Sequence, residues 1–189
     1  GGSTYLALLL IWNVPYFIMP VIALLCNIIV VSGNCFNYIR AGNFNFRLLI
    51  PYLAGSIPLA YFGGSLLIEI KIFEIILFLV LAFAGFLLLF NFKSYDEKQI
   101  TYRKIPILFS ILIGGLLGFV SGIVGIGGGI FLSPILFLLK ADKPKHIITT
   151  ASLFILINSI SGITGQLTKS EVLLEVANYW YLLLLVFAG

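Results

Sequence analysis

The residues of this chain that could do chemistry are few, and they cluster. Ser121-Gly122-Ile123-Val124-Gly125-Ile126-Gly127-Gly128-Gly129, followed by Ser133 and Pro134, lies inside a continuous apolar run. Glycine destabilises a helix by about 1 kcal/mol relative to alanine, so glycines this dense break one. A break in lipid is tolerated only where the freed backbone is buried in protein or lines a wet cavity. A helix restarting near Gly127 exposes N–H groups that lack intrahelical partners, and its dipole places about half a positive charge there. Glycine also lets a ligand oxygen approach the backbone closely. The chemistry on offer is hydrogen-bond donation to a small oxyanion. Ser3, Thr4, Ser121, Ser133, Thr149, Thr150 and Ser152 could add hydroxyl donors.

Catalytic chemistry fails on inventory. His146 is the only histidine and follows Lys145 at the edge of an apolar segment, so it reads as interfacial, with proton sensing as the alternative. Glu69, Lys71 and Glu74 sit at another segment boundary and read as a local ion pair or as solvated ends. Cys26 and Cys35 share one apolar segment, nine residues apart. At about 100° per residue that places them on opposite helix faces, which excludes a shared metal or disulfide and leaves two buried apolar thiols. No nucleophile–base pair is available, and no cofactor or metal site is expected. A nucleotide-binding glycine loop is excluded because no strand–loop–helix context or acidic partner surrounds the glycines.

The elements that must hold the glycines are apolar helices. Of the 189 residues, 61% are hydrophobic and only 10% charged, against roughly 25% charged in soluble domains. No charge falls in the middle of an apolar run, so the formal net charge of +4 belongs to loops. It speaks of membrane orientation and excludes nucleic-acid binding. The fold class expected is all-α, a polytopic transmembrane helical bundle with glycine-broken helices. Residues 1–12 are too short to span alone, and Asn13-Val14-Pro15 reads as a turn. Spans are expected at 16–38, at 47–63 with Pro51 and Pro58 inside, and at a lipid-facing 72–92. The polar loop 93–105 follows. The apolar run 106–139 would be about 51 Å long as one helix, too long for a bilayer. It reads as 106–124 and a shortened 130–139, forming a helical hairpin or a broken helix. Residues 147–166 span again, 166–178 form a polar connection, and 179–189 begin another span. Trp12, Tyr179, Trp180 and Tyr181 read as interface anchors.

Self-comparison adds an internal repeat. Gly1-Gly2 and the apolar residues after them match Gly128-Gly129 and theirs. Pro15 falls on Pro144, Leu24 on Leu153, Ile28 on Ile157, and Ser32-Gly33 on Ser161-Gly162. Leu48-Leu49 and Ala54-Gly55 then fall on Leu182-Leu183 and Ala188-Gly189. One integral membrane domain is thus divided into a first repeat, 1–104, and a second, 105–189. The chain is expected to open inside the first glycine motif and to stop partway through the second repeat. Short glycine-interrupted segments at corresponding places in two halves point to a transporter's substrate site. If 106–139 is a hairpin, Arg40, Arg47, Lys93, Lys98, Arg103, Lys104, Lys140, Lys143 and Lys145 lie on one side, and Lys71 and Lys169 on the other. The positive-inside rule favours that arrangement, and it makes the repeats inverted.

Each of these features also has a packing reading. Gly114, Gly118 and Gly122, spaced four apart, read as a helix-contact stripe. Asn27, Asn34, Asn158 and Ser159 read first as interhelical hydrogen-bonding groups and second as pathway lining. For Gly125 to Gly129, packing alone does not require consecutive glycines, and site shaping is favoured.

Gly118-Phe119-x-Ser121-Gly122-x-x-Gly125-Ile126-Gly127-Gly128-Gly129, then Ser133-Pro134-x-Leu136, then Thr150-Ala151-Ser152-Leu153, resembles the TauE/SafE family of sulfite and organosulfonate exporters. The resemblance covers essentially the whole chain. The first repeat departs from the motif: Ala7 lies near the position of Pro134, and Ala23 aligns with Ser152. The resemblance implies a multi-pass transporter of small sulfur-containing or organic anions in a prokaryotic inner or plasma membrane. Its partners would be the substrate anion and the lipid bilayer, with homo-oligomerisation left open. The substrate-contacting set is then Gly1, Gly2, Ser3 and Thr4 from one repeat, and Ser121, Gly125, Gly127, Gly128, Gly129, Ser133, Thr150 and Ser152 from the other. With no Lys or Arg inside a span, neutral donors would hold an anion weakly enough to release it. A non-transporting membrane scaffold is the alternative, though it has no need of duplicated broken helices.

Overall fold

The computed structural model describes residues 9, 11–12, 14–89, 102–103, 105–170 and 172. Their order is α1 (Met19–Arg40), α2 (Phe46–Ser65), α3 (Ile70–Leu89), α4 (Ile107–Val124), α5 (Gly129–Leu138) and α6 (Pro144–Gln166). Among the described residues there is no strand. The boundaries follow local chemistry. Pro20 and Pro144 sit in the first turns of α1 and α6, where a missing N–H costs nothing. Asn45 caps α2 by accepting the Arg47 N–H at 3.1 Å. Gly125, left-handed at φ 87°, closes α4. Among the described residues four helices, α1, α2, α4 and α6, are long and apolar enough to cross a membrane.

Small residues dictate how the helices pack. Gly114, Gly118 and Gly122 of α4 face Tyr52, Ser56 and Ala60 of α2. A Cβ built on Gly118 would lie 2.6 Å from Ser56 Cα, and one on Gly114 would lie 2.8 Å from Tyr52 Cα. The backbones therefore touch, as small residues every four positions allow. Matched positions rise together, so α2 and α4 run in the same direction. α6 runs with them: Ser161 Oγ donates to the Ile57 carbonyl at 2.7 Å, and Gly165 abuts Tyr61. α1 runs against α6, with Leu24 beside Gly162, and Asn27 and Ser159 flanking the same glycine, Gly127. α2 keeps its helix through Pro51 and Pro58.

Segment 106–139 turns back on itself. α4 rises to Gly125, α5 descends beside α6, and the Arg103 N–H meets the Lys140 carbonyl at 3.1 Å. Asn45 Nδ2 donates to Asp142 Oδ2 at 2.6 Å, so loops 41–45, 102–106 and 139–143 share one end of the bundle. Arg40, Arg47, Arg103, Lys140, Lys143 and Lys145 gather there. Glu69, Lys71 and Lys169 lie at the other end. Among the described residues no ion pair joins Glu69, Lys71 and Glu74, and both carboxylates are exposed. Asn34 is exposed on the outside of α1, which corrects its assignment to interhelical hydrogen bonding. Cys26 and Cys35 are both buried and free.

Candidate functional site

The break between α4 and α5 is built from three left-handed glycines: Gly125 (φ 87°), Gly127 (φ 83°) and Gly128 (φ 71°). An L-residue pays about 1–2 kcal/mol for each such conformation, so the glycines at these three places are required by backbone shape. The Gly125 N–H closes α4 on the Ser121 carbonyl at 2.8 Å. Gly129 N–H folds onto the Gly127 carbonyl at 2.9 Å, and the Phe131 and Leu132 N–H groups share the Gly128 carbonyl at 3.2 and 3.3 Å. The N–H groups of Gly127, Gly128 and Ile130 have no backbone acceptor among the described residues. These are the orphan donors that a helix start leaves.

Two other helices clamp the break. A Cβ on Gly125 would sit 2.7 Å from Pro20 Cα of α1. One on Gly127 would meet Ile155 Cγ2 of α6 at 2.8 Å, Asn27 Nδ2 of α1 at 3.1 Å and Ser159 Oγ at 3.4 Å. One on Gly128 would meet Phe154 Cε1 at 3.0 Å and Ser121 Cβ at 3.5 Å. Asn27 fixes the turn by donating to the Gly125 carbonyl at 3.2 Å. Gln166, buried at the end of α6, donates to the Gly122 carbonyl at 2.8 Å.

The buried polar residues around this break are neutral amides and hydroxyls; none carries a charge. Several have no hydrogen-bond partner among the described residues: Ser121 Oγ, Thr150 Oγ1, Ser159 Oγ, and both Nδ2 and Oδ1 of Asn158. Buried polar groups in proteins are nearly always satisfied, by protein, water or ligand. Thr150, Phe154 and Asn158 follow one another at four-residue steps on α6 and so share a face, the one whose Phe154 meets Gly128.

Of the residues expected to contact substrate, Ser121, Gly125, Gly127, Gly128 and Gly129 form the break itself. Thr150 is fully buried, while Ser133 and Ser152 are half-buried on α5 and α6. Thr149 spends its hydroxyl on the Lys145 carbonyl at 2.8 Å, which removes it from the donor set. Gly1, Gly2, Ser3 and Thr4 lie outside the described residues, as do Tyr179, Trp180 and Tyr181. Asn158 and Ser159 were legible in the sequence as polar groups within an apolar span, but their lack of protein partners was not. Gln166, which the sequence places at the start of a polar connection, is instead a buried part of α6.

Beside the break, at the end away from the cationic loops, a cavity of about 220 Å³ is lined by Tyr16, Phe17, Phe73, Ile123, Gln166 and Lys169, among others. Pro20 and Gln166 belong both to its wall and to the clamp around the glycines. Lys169 Nζ donates to Gln166 Oε1 at 2.9 Å. At the opposite end, His146 Nδ1 lies 3.1 Å from Asp142 Oδ1. Burial of Asp142 raises its pKa, but hydrogen bonds from Asn45 and the Lys143 N–H, together with the adjacent His146 ring, outweigh this and leave it below the usual aspartate range.

Comparison with known proteins agrees with this architecture. The model of the family described as sulfite exporter TauE/SafE matches residues 1–189. The probable membrane transporter protein y4hK of Sinorhizobium fredii is 26% identical over 190 residues, covering 100% of this chain and 76% of its own length. The probable membrane transporter protein MJ0441 of Methanocaldococcus jannaschii is 29% identical over 177 residues, covering 90% of this chain and 66% of its own length. No solved structure matches.

Proposed function

This chain belongs to the sulfite exporter TauE/SafE family, and on that premise we propose that it is a multi-pass membrane transporter carrying small anions, such as sulfite or organosulfonates, past the break at Gly125–Gly129. The observation that carries this reading is a cluster of buried, neutral, unpartnered polar atoms beside a glycine-broken helix: Ser121 Oγ, Thr150 Oγ1, Ser159 Oγ and the Asn158 amide. Membrane-transporter names among its relatives support the transport reading.

In the mechanism proposed, the dipole end of α5 and the free N–H groups of Gly127, Gly128 and Ile130 supply the positive pole. Ser121, Ser159 and Asn158 Nδ2 add side-chain donors, with Thr150, Ser152 and Ser133 further along the same helices. Each neutral hydrogen bond to a charged group contributes about 1.5–3 kcal/mol, so a few suffice to bind without trapping the anion. Gly1, Gly2, Ser3 and Thr4 would complete the site from the other repeat. α1 and α6, the helices that the proposed repeat would pair, run antiparallel, which is consistent with an inverted repeat. The cationic end would face the cytoplasm. The chain carries out no bond-making chemistry in this scheme.

Two experiments test it. Sulfite, a sulfonate and a carboxylate are titrated into the purified protein; a rise in Tm with at least one is expected, and no change with any would overturn the anion reading. Gly127→Leu places a branched side chain at φ 83° against Ile155 and Asn27. It should abolish transport in proteoliposomes while membrane insertion persists, and normal flux would sink the site.

A further inference from the structure

A second pocket, of about 310 Å³, opens at the cationic end, well away from the glycine break. It lies within the size range of small-ligand sites, roughly 300–1,000 Å³. Its walls are Ile105, Pro106, Phe109, Leu138 and Leu139, and its polar lining is Arg103 and Lys140. Among the described residues, no acidic residue lines it. Among the described residues neither cation has a carboxylate partner. Asp142, the acid nearest Lys140 in sequence, is engaged by Asn45, the Lys143 N–H and His146 instead.

The backbone at Lys140 adds an independent observation. α5 ends in a turn in which the Lys140 N–H reaches the Phe137 carbonyl at 3.1 Å and the Ala141 N–H reaches the Leu136 carbonyl at 3.0 Å. That pattern is a Schellman motif, whose left-handed position normally takes glycine. Here it holds Lys140 at φ 50°, the only non-glycine residue with positive φ among those described. The turn would be more stable with glycine, so it does not explain the lysine. The same turn accepts the Arg103 N–H on the Lys140 carbonyl, which brings the two cationic residues together by their backbones. Along α4, whose first turn supplies Phe109 to the pocket, Leu108, Leu112 and Leu116 form an exposed stripe at 70%, 63% and 66% exposure. An apolar chain could lie along it.

We propose that this pocket binds the headgroup of an anionic phospholipid, with its phosphate between Arg103 and Lys140 and an acyl chain along the Leu108–Leu112–Leu116 stripe. A free anion would have no use for the apolar walls or the stripe. A zwitterionic lipid would bring its own cation to two unopposed positive charges. The site is independent of substrate transport at the glycine break.

The test uses the purified full chain in detergent with three probes: dioctanoyl phosphatidylglycerol, dioctanoyl phosphatidylcholine and inorganic phosphate. Phosphatidylglycerol should raise Tm saturably, and the other two should not. Each surface cation near a lipid phosphate contributes roughly fivefold in affinity, so Arg103→Gln with Lys140→Gln should weaken the response about 25-fold. Arg47→Gln with Lys145→Gln, at the same end but outside the pocket, should leave it unchanged. Lys140→Gly relieves the left-handed turn, so it should melt no lower than the parent and still lose about fivefold in lipid response. An undiminished response in Lys140→Gly or in the double pocket variant overturns the proposal. Equal stabilisation by inorganic phosphate overturns the lipid assignment in favour of a free-anion site.

Discussion

Asn158→Leu separates binding from packing at the glycine break. Asn158 is fully buried, and both its Nδ2 and its Oδ1 lack a partner among the described residues. Leucine has the same branched shape, somewhat bulkier, and no polar atoms. A buried polar atom without its hydrogen bond costs about 1–3 kcal/mol, and internal water recovers part of that. Removing two such atoms should therefore stabilise the protein by about 2 kcal/mol, a Tm rise of about 4–8 °C for a chain of this size. Ligand response should move the other way. At an anion concentration 100 times its dissociation constant, the parent gains about 2.7 kcal/mol from binding. Losing one donor to a charged ligand weakens affinity by about 1.5–3 kcal/mol. The variant, roughly 30-fold weaker, then gains under about 1 kcal/mol at the same concentration. Thermal melts with and without the anion, alongside proteoliposome flux, read both quantities. A variant that melts lower without anion and keeps the full anion response would refute the reasoning, because Asn158 would then be serving the fold.

Gly122→Ala puts a Cβ against the Ala60 carbonyl and 2.8 Å from the Gly64 nitrogen, both backbone atoms that cannot rotate away; thermal unfolding should show a loss of about 1–3 kcal/mol. Gly33→Ala, with nothing within 4 Å, should gain up to about 1 kcal/mol in the same measurement. Asp142 has its folded pKa depressed, so its contribution to stability is fully present above the ordinary aspartate value of about 3.9 and is lost as pH falls through the lower folded value. Asp142→Asn should lower Tm at neutral pH and flatten the acid limb of a Tm–pH curve below about pH 4.

What could be read in the sequence was whatever lipid imposes residue by residue. Long apolar runs bounded by charged loops dictate helices, because every backbone polar group must be satisfied within the segment. The expected spans at 16–38, 47–63, 106–124 and 147–166 therefore lie close to α1, α2, α4 and α6. Consecutive glycines forced the break, and α5 begins at Gly129 because Gly127 and Gly128 are left-handed. The stripe of Gly114, Gly118 and Gly122 announced a close helix contact, since only small residues permit one.

The sequence could not say which helix meets that stripe, since any small-residue face would fit; the tertiary structure matches it with Tyr52, Ser56 and Ala60. Nor could it rank the intramembrane polar residues. Asn27, Asn34, Asn158 and Ser159 look alike in an apolar run, and composition does not encode facing. Packing turns Asn34 outward, commits Asn27 to the Gly125 carbonyl, and leaves Asn158 and Ser159 buried without partners among the described residues. Thr149 and Thr150 are adjacent, yet Thr149 bonds the carbonyl one turn back and Thr150 does not, because that bond depends on the side-chain rotamer each threonine takes. Where the chain must break was written in glycine's freedom of φ. Which polar atoms meet at that break was decided by three helices, α1, α4 and α6, that are far apart in the chain and adjacent in space.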